Sequence, residues 1–491
     1  MNRTLARVLA FFTSASVLVL EILAGRLLAP YVGVTLQTYT SIIGVVLAGI
    51  ALGSWLGGRL SDEIDPRSMV GPTMMLGGGL GLLAPPIVRV AAERLDGTSV
   101  AVVLIATIAG FLLPSVVLSA VSPMLVKTQL RSLESSGATV GSMSAVGTTG
   151  AIVGTFVTGF LLVAKVPVTV TVLCVCAALI TVGALLTVTA RKRPRAERFA
   201  AVGLLAFGGM GAGAAVAVDS PCEMESAYYC ASVLGIDGEP RIRVLHLDNL
   251  DHSEVDLDDP ASLRFPYTQL FGVVVDALPP GPIHVVHLGG GALTMPRYVR
   301  AVRPGSTGVV LEVDAALPEL AERKLGWVPG ADVDVVIGDG RVTMGRQTNG
   351  RANVVFGDAF GAEAVPWHLT TVEFTRVIRR TMRPDGIYAL NVIDAKEHRF
   401  VRAEVATIAT VFDHVAVFAP DSSFDRESFG SNFIVVASDR PLPVDTYKAM
   451  IDDRGYEAVV RTGAALRRWV GDSRVLRDDF APVDQLFSAG A

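Results

Sequence analysis

From His287 to Asp314 the chain reads HLGGGALTMPRYVRAVRPGSTGVVLEVD. An apolar run from Ile283 to Leu288 leads into three glycines, and a helix-length segment follows. A second apolar run from Gly308 then carries Glu312 and stops at Asp314. Short β-branched runs flanking a glycine turn and a helix make a βαβ unit. In such a unit Gly289, Gly290 and Gly291 let the backbone turn sharply and approach a ligand, while a carboxylate about 20 residues on accepts hydrogen bonds from ribose hydroxyls.

Around this unit the composition splits in two. Hydrophobic residues make up 51% of the 491 residues, and the mean hydropathy of +0.49 is high for a soluble protein. The excess lies before about residue 218, and the expected boundary falls near Asp219. Apolar runs at 8–29, 36–57, 70–88, 99–126, 139–164, 167–189 and 199–218 each approach or exceed the ~20 residues that cross a bilayer, giving about seven helices. The first is read as retained rather than as a signal peptide, because Glu21 and Arg26 interrupt it and further runs follow at once. Residues 1–218 are thus expected to be a transmembrane domain in the cell membrane, with the lipid bilayer as its partner, and residues 219–491 a soluble one.

Orientation follows from the basic residues. With the N-terminus in the cytoplasm, that side collects Arg3, Arg7, Arg59, Arg67, Lys127, Arg131, Arg191, Lys192, Arg193, Arg195 and Arg198, against Arg89, Arg94 and Lys165 opposite. Seven spans then place the soluble part outside the cytoplasm; without a span at 199–218 it would lie inside. Cys222 and Cys230 bracket a short segment after the last run, a spacing that suits a disulfide and favours the external side. Within the spans, Gly53 with Gly57 and Gly150 with Gly154 are spaced for close helix packing.

In the soluble part, residues 222–280 read as β-rich, with a hairpin or small sheet at 224–256, and residues 281–491 as the nucleoside-binding α/β part. Strands are expected at 283–288, 308–313, 333–337, 353–357, 386–392, 414–419 and 432–437, with helices notably at 315–324, 369–381 and 397–411. That alternation predicts a Rossmann-like, doubly wound α/β sheet, in which ligands bind beyond the carboxyl ends of the strands. Acids stand at those ends: Glu312 and Asp314, then Asp339 in IGDG, then Asp358 in VVFGDAFG. Any one of them could be a helix cap. A net charge of -5 gives no case for nucleic acid, and no His and Cys cluster has metal-ligand spacing.

The order of ESAYY at 225–229, LHLDNLDHSEVD at 245–256, FPYTQ at 265–269, HLGGG, VVLEVD, IGDG and VVFGDAFG resembles the spermidine synthases, the polyamine aminopropyltransferases, in a form fused to a multispan membrane region. The resemblance implies decarboxylated S-adenosylmethionine, or S-adenosylmethionine, as co-substrate, with no permanently bound cofactor and no metal. It implies Glu312 on the ribose, Asp339 and Gly340 at the adenine, and Tyr229, Tyr267 and Thr268 at nucleoside and aminopropyl contacts. Asp358 matches the aspartate that takes the proton from the attacking amine, a putrescine-like or other polyamine substrate. The family tends to dimerise, which extends the expectation of a homodimer to this chain. Departures are visible: Ala292 and Gly361 stand where the family keeps acids, and Tyr229 and Thr268 replace its glutamine and histidine. Two other readings fit the same residues, a catalytically silent nucleoside- or amine-binding scaffold and an S-adenosylmethionine-dependent methyltransferase.

Overall fold

The structure, a computed structural model, describes all of the chain except residues 34–35, 96–99, 131–135, 190–194, 218–220, 362–364, 395, 426–429 and 489–491. The expected boundary at Asp219 and the basic residues Arg131, Arg191, Lys192 and Arg193 lie outside the described residues. Two compact units emerge, Met1–Ser232 with Leu247–Asn249, and Val233–His246 with Leu250–Ala491.

The first unit is helical: α1 (Arg3–Val32), α2 (Leu36–Glu63), α3 (Pro66–Leu95), α4 (Val100–Thr107), α5 (Leu113–Gln129), α6 (Ser136–Val157), α7 (Val163–Lys165), α8 (Val168–Thr189) and α9 (Arg195–Ala217). π-helical turns at Ile108–Leu112 and Thr158–Leu162 continue α4 into α5 and α6 into α7. Among the described residues, 6 helices are long and apolar enough to cross a membrane, and the apolar stretch of α9, Gly203–Val216, is shorter. Glycine sets the closest crossings. A Cβ on Gly53 would lie 2.1 Å from the Val116 carbonyl oxygen and one on Gly57 2.4 Å from that of Ala120, which seats α2 on α5. On Gly150 it would lie 2.2 Å from the Phe11 carbonyl oxygen, which seats α6 on α1. Arg26 does not depend on Glu21 for its partners, since its guanidinium donates to the carbonyls of Ser226 and Tyr228 at 2.8 and 2.6 Å. Cys222 and Cys230 are joined in a disulfide, with Cα atoms 5.1 Å apart.

Strands β1 (Met224–Glu225), β2 (Cys230–Ile236), β3 (Glu239–Leu247) and β4 (Leu250–Asp256) form a sheet in that order. Then α10 (Pro266–Asp276) leads into the large sheet: β5 (His284–Leu288), α11 (Thr294–Val302), β6 (Thr307–Glu312), α12 (Ala316–Lys324), β7 (Val333–Ile337), α13 (Gly340–Met344), β8 (Ala352–Gly357), α14 (Val372–Thr381), β9 (Met382–Asp394), α15 (Arg399–Ile408), β10 (His414–Ala419), β11 (Ser431–Ser438), α16 (Val444–Asp453), β12 (Val459–Thr462), α17 (Gly463–Val470) and α18 (Val483–Ser488). Its order is β12-β10-β11-β9-β8-β5-β6-β7. The run from β7 to β9 is parallel; β5, β6 and β8 are largely buried between helices on both faces, whereas the edge strand β7 is only partly buried, with Asp334 and Ile337 exposed.

The far edge differs from a purely doubly wound pattern. β11 pairs antiparallel with both β9 and β10, and β12 pairs antiparallel with β10. Among the described residues the link from β10 to β11 holds a 3-10 turn, Asp421–Phe424, and the two strands pair antiparallel. What positions the site is the other half. From β5 the chain steps outward to β6 and β7, then returns to place β8 on the opposite side of β5. The switch point lies between β5 and β8, the place where an open α/β sheet leaves a crevice for a ligand.

Candidate functional site

At the carboxyl end of β5 the glycine turn is shaped by its surroundings. Gly289 has φ +96°, and a Cβ there would stand 2.3 Å from the carbonyl oxygen of Asp358, so both the backbone conformation and the neighbouring strand end demand glycine. Asp358 N–H donates to the Leu288 carbonyl at 2.8 Å, continuing the β5–β8 ladder one step past the strands. The glycine turn and Asp358 are therefore parts of one constellation.

Glu312, at the end of β6 and 5% exposed, closes the turn from the other side. Its carboxylate accepts from Gly290 N–H at 2.7 Å and from Asp314 N–H at 2.9 Å. Burial pushes its pKa up, against the pull of backbone N–H groups from Asp314, Gly290 and Gly291. A carboxylate has about four lone-pair sites, so acceptor capacity remains for a ligand diol.

Asp358 is partly buried, and its pKa is pushed up to about 6 by desolvation, opposed by hydrogen bonds from Asn391 and Tyr267. Asn391 Nδ2 donates to Asp358 Oδ1 at 2.9 Å, while Asn391 Oδ1 accepts from Asn432 Nδ2 at 2.9 Å. The two asparagines, on β9 and β11, thus fix which face of the amide meets the acid. Tyr267, on α10 and 8% exposed, shares its hydroxyl among the His252 carbonyl, 3.2 Å away, Ser253 and Asp358; burial and the Asp358 charge hold it neutral. Ala292 is fully buried behind the turn, so no acid side chain enters from there.

The remaining candidates have structural partners. Asp339 caps α13, its Oδ1 accepting from Val342 N–H at 2.9 Å, and its Oδ2 lies 3.0 Å from His368 Nε2. A Cβ on Gly340 would meet Leu288 Cδ1 at 2.7 Å, so the backbone there passes close to the end of β5. Thr268 is buried, and its hydroxyl donates to the Phe265 carbonyl at 2.7 Å. Tyr229, Cys222 and Cys230 belong to the first unit. Among the described residues no group of three or more His, Cys, Asp or Glu could hold a metal ion.

Three residues at the site were not singled out from the sequence: Asn391, Asn432 and His368. The first two carried a signal. An asparagine inside the apolar run ALNVI, and another at the head of SNFIVV, sit in strands that disfavour the residue unless it has a partner. His368 carried none.

No family model matches the chain. A polyamine aminopropyltransferase from Vibrio vulnificus is 26% identical over 241 residues, 46% of this chain and 78% of that protein. The chain is similar to the polyamine aminopropyltransferases. A probable polyamine aminopropyl transferase from Bifidobacterium longum is 23% identical over 218 residues, covering 40% of this chain and only 48% of that relative's length. Among solved structures, a probable spermidine synthase from Corynebacterium glutamicum aligns over 52% of this chain and 95% of its own, at 25% identity and a TM-score of 0.48.

Proposed function

We propose that the second unit is an aminopropyltransferase-like enzyme, membrane-anchored through the first, that moves an aminopropyl group from decarboxylated S-adenosylmethionine to a small amine. Asp358 carries the reading: an acid at the switch point, beside the glycine turn, oriented by two neighbours and with a pKa near 6. Glu312 would receive the ribose hydroxyls, with Gly289 and Gly290 lining the approach. Asp339 and Gly340 would flank the base, and Tyr267 would face the transferred chain. In the transfer, the amine nitrogen forms a bond to the carbon attached to sulfur. The C–S bond breaks with its electron pair returning to the sulfonium, which leaves as neutral methylthioadenosine, and the proton shed by nitrogen passes to Asp358. A carboxylate with a pKa near 6 is largely ionised at neutral pH and can both hold the ammonium and take that proton.

The buried Ala292 favours one second reading, ligand binding without turnover, because the site has one acid fewer to hold a diamine. Full-length protein supplied with decarboxylated S-adenosylmethionine and a panel of amines separates the two. Methylthioadenosine release supports transfer, and nucleoside binding with no release from any amine supports the silent form. S-adenosylhomocysteine formed from S-adenosylmethionine would instead point to methyl transfer.

We further propose that the second unit lies outside the cytoplasm. The distribution of Arg and Lys and the Cys222–Cys230 disulfide support this. The reading takes α9 as a seventh span, although its apolar stretch, Gly203–Val216, is shorter than those of the other six. Cysteine labelling in intact cells after reduction, with an impermeant reagent, tests it; reaction only after permeabilisation would place the unit inside.

A further inference from the structure

The large sheet is complete at β12, yet the chain beyond α17 returns to the site. Residues 476–478 cross the amino end of α14. Leu476 is fully buried; its N–H donates to Thr407 Oγ1 at 2.8 Å and its carbonyl accepts from Val372 N–H at 3.0 Å, filling one of the open donors that a helix start leaves. Two residues on, Asp478 N–H donates to Glu373 Oε2 at 3.1 Å. Backbone bonds thus strap this segment to the first turn of α14.

The Asp478 side chain reaches from there to α13. Its Oδ1 accepts from Thr371 Oγ1, the cap of α14, at 2.7 Å, and its carboxylate takes the Arg341 guanidinium as a fork, Nη1 to Oδ1 at 2.7 Å and Nη2 to Oδ2 at 2.5 Å. The hydrogen bond from Arg341 holds the Asp478 carboxyl below its ordinary range, and Asp478 in turn raises the guanidinium. Arg341 Nη1 also donates to the His368 carbonyl at 2.9 Å, while His368 Nε2 lies 3.0 Å from Asp339 Oδ2. Asp339 and Arg341 flank Gly340 at the start of α13, so the 3-10 turn Trp367–Leu369 is held against that start at two points. The second point is only as fixed as the long Arg341 side chain, and Asp478 fixes it.

Exposure separates what this fork can do from what it cannot. The side chains of Arg341 and Asp478 are 28% and 41% exposed, and an ion pair so open to water adds little to stability. A two-bond fork still sets direction, because guanidinium and carboxylate meet in one plane. The pair is therefore poorly placed to hold the fold together and well placed to set where the His368 turn stands against α13. We propose that Asp478 is a positioning residue for the nucleoside end of the site, acting through Arg341 on the turn Trp367–Leu369. The role rests on the transfer reading, which puts the base beside Asp339 and Gly340, and Asp478 itself touches no reacting atom.

The test uses full-length protein with methylthioadenosine as the probe. Asp478→Asn keeps the shape and removes the charge that the fork needs, so affinity by calorimetric titration should fall about tenfold, the ratio expected for one charge-assisted hydrogen bond. In turnover the loss should appear as a KM for decarboxylated S-adenosylmethionine about tenfold higher, with kcat within about twofold. The melting temperature should stay within about 3 °C of the wild type, because the pair is exposed. Asp478→Glu, which restores a carboxylate, should recover most of the affinity. Wild-type affinity and KM in Asp478→Asn would overturn the proposal. So would a fall in kcat and melting temperature alongside affinity, which would reduce the strap to packing. Should Asp478→Asn fail to fold, Arg341→Lys supplies the second measurement: it keeps a cation and loses the fork, so affinity should again fall about tenfold, and unchanged affinity would count against the role. A wild-type protein that binds no methylthioadenosine would instead sink the transfer reading, and the proposal with it.

Discussion

Asp339 and Asp358 both stand at strand ends of the large sheet, and they differ in almost everything but position. Asp339, after β7, is spent on local structure: it caps α13 and meets His368, with its side chain 45% exposed. Asp358, after β8, caps no helix among the described residues. Its carboxyl is partly buried at the switch point, its orientation set by Asn391 and Tyr267 and its pKa raised to about 6. Strand-end placement is therefore a weak indicator of chemistry, and the surroundings of the carboxyl make the distinction.

The contrast is sharpest under mutation. Asp358→Asn keeps the shape and removes the proton acceptor, so methylthioadenosine release should fall about 10²–10⁴-fold. The same change should stabilise the fold. A carboxyl whose folded pKa of about 6 exceeds its ordinary 3.8 binds its proton more tightly when folded, so stability falls as pH rises through that window. Above pH 6 the wild type bears a penalty of about 1–3 kcal/mol, discounted for partial exposure, that Asn escapes. Thermal melts of both proteins should separate at pH 8 and converge at pH 4, and a loss of stability at pH 8 would break the contrast.

Glu312→Ala comes next. It leaves Gly290 N–H and Asp314 N–H without their acceptor, at about 1–3 kcal/mol for each group left buried and unpaired. Nucleoside affinity should drop with it, and calorimetric titration with methylthioadenosine reads the loss. Asn391→Leu should act through Asp358, withdrawing the donor that lowers its pKa. The acid limb of the pH–rate profile should then move upward by about 1–2 units, the equivalent of a hydrogen bond to a charged group. An unmoved limb with a uniformly lower rate would reduce Asn391 to packing. Asp339→Asn should do least, since Asn caps a helix about as well as Asp and stability should change by only a few tenths of a kcal/mol. A loss of release as large as that of Asp358→Asn would erase the distinction between the two acids.

Much of this fold is legible in the sequence because the parallel strands are short, apolar and punctuated by glycine or acid. The runs ending at Leu288, Glu312, Ile337 and Gly357 become β5 to β8 within a residue or so of where the pattern places them. At the antiparallel edge β10 and β11 also lie where the pattern places them, but β12 is not legible, because Val459–Thr462 is only 4 residues long and partly buried, with no alternation to reveal it. At the site, Gly289, Glu312 and Asp358 can be found from motif and spacing. Their coupling cannot, since the contact of Gly289 with the Asp358 carbonyl joins residues far apart in the chain and exists only once β8 returns beside β5. Thr268 shows the converse: it has a motif position, yet its hydroxyl is already bonded to Phe265.

The most direct test is the pH dependence of methylthioadenosine release by full-length protein in a single turnover, wild type beside Asp358→Asn. Release by the wild type should rise through about pH 6 as Asp358 ionises, and the Asn variant should show neither the rise nor the rate. An Asn variant that keeps the wild-type rate and profile would remove Asp358 from the chemistry and contradict the proposed function.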